Sequence, residues 1–261
     1  MADEVTNNLP FAVLLAHLEG NPDAVKPYFA SVASHGEIVA AAARNPPRRV
    51  LLSAGDPEAV YAIARDCFKV YQEDVFPGVN GPVANAERFA EAWRELTGER
   101  FELRRKLRWY RLDVPPDSSK VPGRLRIADK QDRDVLVTWV VRQIDDSPAS
   151  NGERVGRLLV DAGIRRHQFF LWDHGGPVSM AMVSRSTPNG SCISMVYTPT
   201  RNRRRGYAGA CVGEVSRRLL SDGRRFSFLS VDLRDPAAMR IYTKLGFRSV
   251  SDSAEIDFLD P

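Results

Sequence analysis

Cysteine is scarce in this chain of 261 residues. Cys67, Cys192 and Cys211 are the only three, widely separated and odd in number, which argues against a disulfide framework. Neither their spacing nor the four histidines form a metal-ligand pattern, so no metal is expected. Hydrophobic residues make up 43% of the chain, yet no apolar run approaches the roughly 20 residues a spanning helix needs. The start, Met1 to Asn8, is polar and acidic and has no signal-peptide pattern. A soluble cytoplasmic protein is expected, with the three cysteines as small core residues in a reducing compartment.

Charge of one sign is also limited. The net charge is +4, and the basic residues are scattered apart from Arg104 to Arg108 and Arg201 to Arg205. Aromatic residues do not interleave with these arginines as stacking platforms would, so no nucleic-acid partner is expected; without a long apolar run, no membrane is expected either.

The stretch from Ser194 to Ala210 organises the chain. A short apolar strand, Ile193 to Tyr197, is stopped by Pro199; a basic loop with Gly206 follows, and a helix begins near Tyr207. A strand feeding a basic turn at a helix N-terminus suits an anion, because free N–H groups and the helix dipole both favour negative charge there. Gly206 and Ala208 keep side-chain bulk away from backbone that a ligand must approach. A plain strand-to-helix connection with solvated arginines is the alternative.

Elsewhere, periodicity and turn residues predict strands at Tyr28–Ser34, Glu37–Arg44 and Arg48–Ser53, then a helix from Asp56-Pro57 to about Glu73 with Val60, Ile63, Ala64, Cys67 and Val70 in helical spacing. A helix over Glu87–Leu96 and an extended Phe101–Leu112 precede a Pro-rich linker ending at Gly123. The second half reads as strand, helix over Asp129–Ile144, a polar break at Asp146–Asn151, helix, hairpin around Asp173 to Gly176, the organising element, strand, a helix over Met239–Leu245 and a final extended segment. Gly36 and Gly176, and Gly98 and Gly246, lie at near-equal offsets, which suggests two copies of one α/β unit. The first copy has only Ala54-Gly55-Asp56-Pro57 where the second has its basic loop.

Arg203-Arg204-Arg205-Gly206-Tyr207-Ala208 fits Arg/Gln-x-x-Gly-x-Gly/Ala and resembles the pyrophosphate loop of the GNAT superfamily of acyl-CoA-dependent N-acyltransferases. Asp235-Pro236 through Tyr242 to Gly246-Phe247 resembles that family's Asn-Pro-x-x-x-x-x-Tyr-x-x-x-Gly-Phe. The resemblance covers roughly Gly123 to Leu259. It implies an α/β fold of two tandem GNAT-like domains, each a mixed, mostly antiparallel sheet flanked by helices. The bounds expected are a degenerate domain over 1–115, a linker over 116–123, and an acetyl-CoA-binding domain over 124–261.

The resemblance further implies that Val196, Tyr197 and Thr198 lie beside the thioester, and that Arg203, Arg204, Arg205, Gly206, Tyr207, Ala208 and Gly209 hold the pyrophosphate. Tyr242 aligns with the general acid that protonates the departing thiolate. Asp235 replaces the usual Asn, which leaves its contact with CoA open against simple helix capping. No general base stands out: Ser194 occupies a position where some relatives have a carboxylate, Asp232 is a candidate, and His17, His35, His167 and His174 are expected to be uninvolved. The implied activity is acetyl transfer from acetyl-CoA, as cosubstrate, to a small-molecule amine such as an amino acid, an analogue or an antibiotic. A protein amine, or a CoA-sensing module without catalysis, is the alternative.

Overall fold

The turn residues place the N-terminal hairpin where expected. β1 (Tyr28–Ser34) and β2 (Glu37–Arg44) pair antiparallel around Gly36, whose φ of 83° suits the tight turn. The computed structural model describes residues 3–18, 26–71, 75–143 and 152–259. The polar break at Asp146–Asn151 and the end of the helix expected to reach Glu73 lie outside these residues.

After α1 (Asn8–Leu18) and the hairpin come β3 (Val50–Leu52), α2 (Pro57–Tyr71), β4 (Gly78–Pro82), α3 (Val83–Thr97) and β5 (Arg100–Leu112). The second half supplies β6 (Arg124–Ile127), α4 (Arg133–Val141), α5 (Gly152–Arg165), β7 (Phe169–Asp173), β8 (Pro177–Ser186), β9 (Gly190–Tyr197), α6 (Tyr207–Ser221), β10 (Phe226–Asp232), α7 (Pro236–Lys244) and β11 (Arg248–Leu259). From β1 to β5 and from β7 to β11 the same kinds of element follow one another. The inward stripe of α2 is Val60, Ile63, Ala64, Cys67 and Tyr71, whereas Val70 is 52% exposed. The step from Cys67 is therefore four residues rather than three.

All eleven strands form one sheet in the order β1-β2-β3-β4-β11-β5-β10-β9-β8-β7-β6. Each half thus surrenders one strand to the other. β11 lies between β4 and β5, and β5 lies between β11 and β10, antiparallel to all of these neighbours. The exchange buries apolar side chains both ways: Ala254 and Ile256 of β11 join the core built by α2 and α3, while Tyr110 and Leu112 of β5 join the core under α6 and α7. Phe258 stacks on Trp93 of α3, with ring centroids 5.5 Å apart. Across the central pair, Arg108 grips Asp252 with two bonds of 2.8 Å, and Arg105 grips Glu255 at 2.8 and 2.9 Å.

α2, α3, α6 and α7 cover one face of the sheet. On the other face, α4 and α5 cover the β6–β9 side, and α1 touches β2 and β3 as well as β8, so the sheet curls around it. Val5 and Leu9 close this junction against Trp109, Cys192, Phe226 and Phe228. The linker is fastened to α6: Arg217 Nη1 donates to the Pro116 carbonyl at 2.7 Å, and Glu214 accepts the Ser119 amide at 3.2 Å. All three cysteines are free and buried. Among the described residues, no helix is long and apolar enough to cross a membrane.

Candidate functional site

β9 and β10 are parallel neighbours only from Gly190 to Cys192, opposite Phe226 to Phe228. Beyond that point the strands part. β10 continues along β5 to Asp232, while β9 continues along β8 to Tyr197. Met195, with φ of 48°, forms a bulge in β9 that lets three β9 steps face two of β8. Three side chains hold the carbonyls at the end of β9: Gln143 Nε2 donates to Val196 O at 2.5 Å, Ser179 Oγ to Tyr197 O at 3.1 Å, and Arg203 Nε to Thr198 O at 3.1 Å. The end of β9 is thereby fixed beside a gap in the sheet.

A 3-10 turn, Thr200–Asn202, carries the chain from this gap to α6, and the Arg203 amide bonds back to Thr200 O. Arg204 and Gly206 then adopt left-handed φ values of 62° and 81°. The first backbone bond of α6 is Ala210 N–H to Gly206 O, and among the described residues no side chain caps the helix. The amides of Tyr207, Ala208 and Gly209 are therefore left without helical acceptors. Arg204 and Arg205 are exposed, and neither has a carboxylate partner among the described residues. This is an open, positively charged helix N-terminus.

The expected residues divide by orientation. Val196 packs on the core beneath α6, the core that also contains Tyr242. Tyr197 turns to the opposite face, 5.7 Å from the Trp139 ring, with Arg142 within 3.3 Å of its hydroxyl. Thr198 Oγ1 meets Ser179 Oγ at 2.9 Å. Tyr207 is buried, and its hydroxyl meets Nδ1 of the exposed His174 at 2.8 Å. Gly209 faces α7, where a Cβ would meet Ile241 at an ordinary contact distance of 3.4 Å.

Asp235 accepts the amides of Ala237 and Ala238 at 3.1 and 3.0 Å, the bonds of a helix N-cap, with Pro236 at the first helical position. That cap is why α7 begins before Met239, where apolar spacing alone starts it. Tyr242 is only 7% exposed, edge-on to Phe247 at 5.9 Å. Its hydroxyl has no hydrogen-bond partner among the described residues. Burial, with Asp235 and Cys211 nearby, raises its pKa above the ordinary phenol value, so the proton stays on at neutral pH.

Asp232 is held well below the usual carboxylate range, chiefly by bonds from Arg234. An ionised, doubly bonded carboxylate is a weak proton acceptor, so its chemistry disfavours the base role considered for it. Gln143, Ser179 and His174 were not legible as site residues. They become so only when α4, β8 and the β7–β8 turn are laid against β9 and α6.

The same fold, a splayed sheet with a helix at its open end, is seen in solved structures described as GNAT-family acetyltransferases. A GCN5-related N-acetyltransferase from Sphaerobacter thermophilus, 19% identical, is similar with a TM-score of 0.62, over 99% of this chain and 92% of that one. A GNAT-family acetyltransferase from Colwellia psychrerythraea, 15% identical, has a TM-score of 0.56 over 88% and 84%. A tandem GNAT protein from the clavulanic acid biosynthesis pathway, 12% identical, has a TM-score of 0.58 over 96% and 88%. More narrowly, residues 174–255 match the FR47-like protein family, a segment that spans the basic loop, Asp235 and Tyr242. No curated protein matches the chain.

Proposed function

We propose that this protein is an acetyl-CoA-dependent N-acetyltransferase that acts on the amine of a small molecule, with one cofactor site per chain in the C-terminal half. The observation that carries this reading is the gap between β9 and β10 leading directly to the uncapped, arginine-flanked start of α6. The amides of residues 204–209 would hold the pyrophosphate, with Arg204 and Arg205 adding charge-assisted bonds. Backbone at Val196 to Thr198 would line the pantetheine arm and polarise the thioester carbonyl. When bound, acetyl-CoA supplies the activated acyl group. Tyr242, kept protonated by burial, would deliver its proton to the leaving sulfur.

The two halves are proposed as repeats of one unit, bounded near residues 115 and 124, with β5 and β11 exchanged between them. The corresponding turn of the first half is closed. Asn7 Oδ1 accepts from the Ala54 amide at 2.8 Å, Asn85 Nδ2 donates to the Gly55 carbonyl at 2.7 Å, and a Cβ at Gly55 would lie 2.6 Å from Ala40 Cβ. That supports a cofactor site in one half only.

Titration with CoA in a calorimeter, followed by a thiol-release screen of acetyl-CoA against amines, tests the proposal. One site per chain and release with at least one small amine are expected. Two sites would defeat the degenerate-repeat reading. Binding with no transfer to any amine would make the protein a CoA-sensing module, and release only with peptides or protein would move the acceptor class.

A further inference from the structure

The open face beside the gap is polar, and the first half contributes to it. Along β10, Leu229 and Val231 point to the α6 core and Phe226 and Phe228 to the α1 junction, so Ser230 and Asp232 lie on the α1 face. On β11, Ser253 accepts from Trp109 Nε1 at 3.0 Å on that same face, while Ala254 and Ile256 point the other way; Glu255 therefore lies on the α1 face too. Among the described residues, Val5 and Leu9 of the N-terminal segment pack on this face toward Phe226 and Phe228. The end toward Asp232, where β9 and β10 part, is where Arg105 stands.

Arg105 is set as a fixed receptor. Its Nε and Nη2 bind both oxygens of Glu255, whose side chain is 10% exposed and is steadied by Asn80 Nδ2 at 3.3 Å. Only one edge of the guanidinium is used. The Nη1–Nη2 edge has no partner among the described residues, and the side chain is 38% exposed. A fork held on one edge by a buried carboxylate offers the other edge, pre-oriented, to a planar anion. Asp232 of β10 pairs with Leu107 of β5, so Arg105, two residues further along β5, lies on the same face at the mouth of the gap.

We infer that Arg105, carried into the active half on the exchanged strand β5, is the specificity residue that binds an anionic group of the acceptor, and that the acceptor is an amine bearing a carboxylate. This inference rests on the proposed acetyltransferase activity and narrows its substrate class. The carboxylate would pair with the free edge of Arg105, and the amine would extend past Ser230 toward the gap.

The test uses the full chain, acetyl-CoA, and matched amines: glycine, alanine and β-alanine, each beside its carboxamide. Carboxamides have the less basic, more readily deprotonated amine, so solution reactivity alone would favour them. The expected result is a kcat/KM higher for the carboxylates, with the preference lost by about 10- to 100-fold in Arg105→Gln/Glu255→Gln. The double substitution avoids leaving Glu255 as an unpaired buried charge. Rates on the carboxamides and CoA affinity should be unchanged, a pattern that general structural damage would not give.

Equal use of both members of each pair, or equal loss on both in the variant, would overturn the inference. So would CoA binding without turnover of any carboxylate-bearing amine. Calorimetry with CoA reports separately on the underlying activity, and its failure would remove the cofactor site itself.

Discussion

Replacing Tyr242 with Phe removes one oxygen from a side chain that is otherwise wholly engaged in packing. The ring lies in the core with Ala210, Cys211, Val212 and Phe247, and Phe retains all of that contact. The hydroxyl lacks a protein partner among the described residues, so its loss breaks no bond, and stability should change by less than about 1 kcal/mol. Turnover should respond quite differently. A positioned general acid contributes ~10²–10⁴-fold, equivalent to about 3–5 kcal/mol of barrier. Thiol release with the best amine of the screen should therefore fall by that factor, while calorimetric CoA affinity stays within about twofold of wild type. The pH profile adds a second readout. The folded pKa is raised, so the protonated form, and the stability it confers, is fully present below about pH 10 and is lost as pH climbs through the higher folded value. Activity should accordingly show no alkaline fall from this group below about pH 10. Normal turnover by Tyr242→Phe in an active enzyme would refute the assignment and leave water or another group as the acid.

Gly206→Asp should abolish CoA binding in calorimetry, because it places a negative side chain at the loop and a Cβ 3.0 Å from Val121 at a φ of 81°; circular dichroism should show a folded chain. Asp235→Ala should lower the melting temperature by about 2–4 °C, from about 1 kcal/mol of lost capping, whereas Asp235→Asn should melt near wild type and bind CoA equally well. Arg126 bonds both Asp132 and Asp173 and, for Asp173, is the main cause of a depressed pKa. Depressed carboxylates stabilise above their ordinary value near 4 and lose that contribution as pH falls, so Arg126→Met should weaken the acid dependence of the melting temperature below about pH 4.

Local features were readable from the residues because their causes are local. The Gly36 turn fixes β1 and β2, Pro199 ends the β9 extension, and the Arg203 to Ala208 spacing marks the loop before α6. The recurrence of glycines in hairpin turns and after short helices matches the like order of elements from β1 to β5 and from β7 to β11. Strand partnership was not readable. Nothing in the pattern of Arg248–Leu259 distinguishes pairing within its own half from insertion between β4 and β5, since both bury Ala254 and Ile256 on one face. For the same reason Arg105, in an arginine-rich stretch of the half without a basic Gly loop, gave no sign of lying beside Asp232. Asp235 was ambiguous because capping and ligand contact call for the same acceptor atoms, and only the position of the Ala237 and Ala238 amides favours capping.

The exchange of β5 and β11 sets an order on the birth of the molecule. As the polypeptide leaves the ribosome, β1 to β4 and their helices emerge with a vacant slot between β4 and β5, and the segment that fills it follows only after the rest of the second half. Until then two strand edges stand unpaired, a template for misassociation that chaperones would have to shield. Such late, distant pairing also favours slow folding. Once the segment is in place the halves are interlocked, and neither can be lifted away without pulling a strand out of the middle of its neighbour. A nonsense codon just before residue 248 would therefore damage the region around Trp93 as surely as the site beside Tyr242.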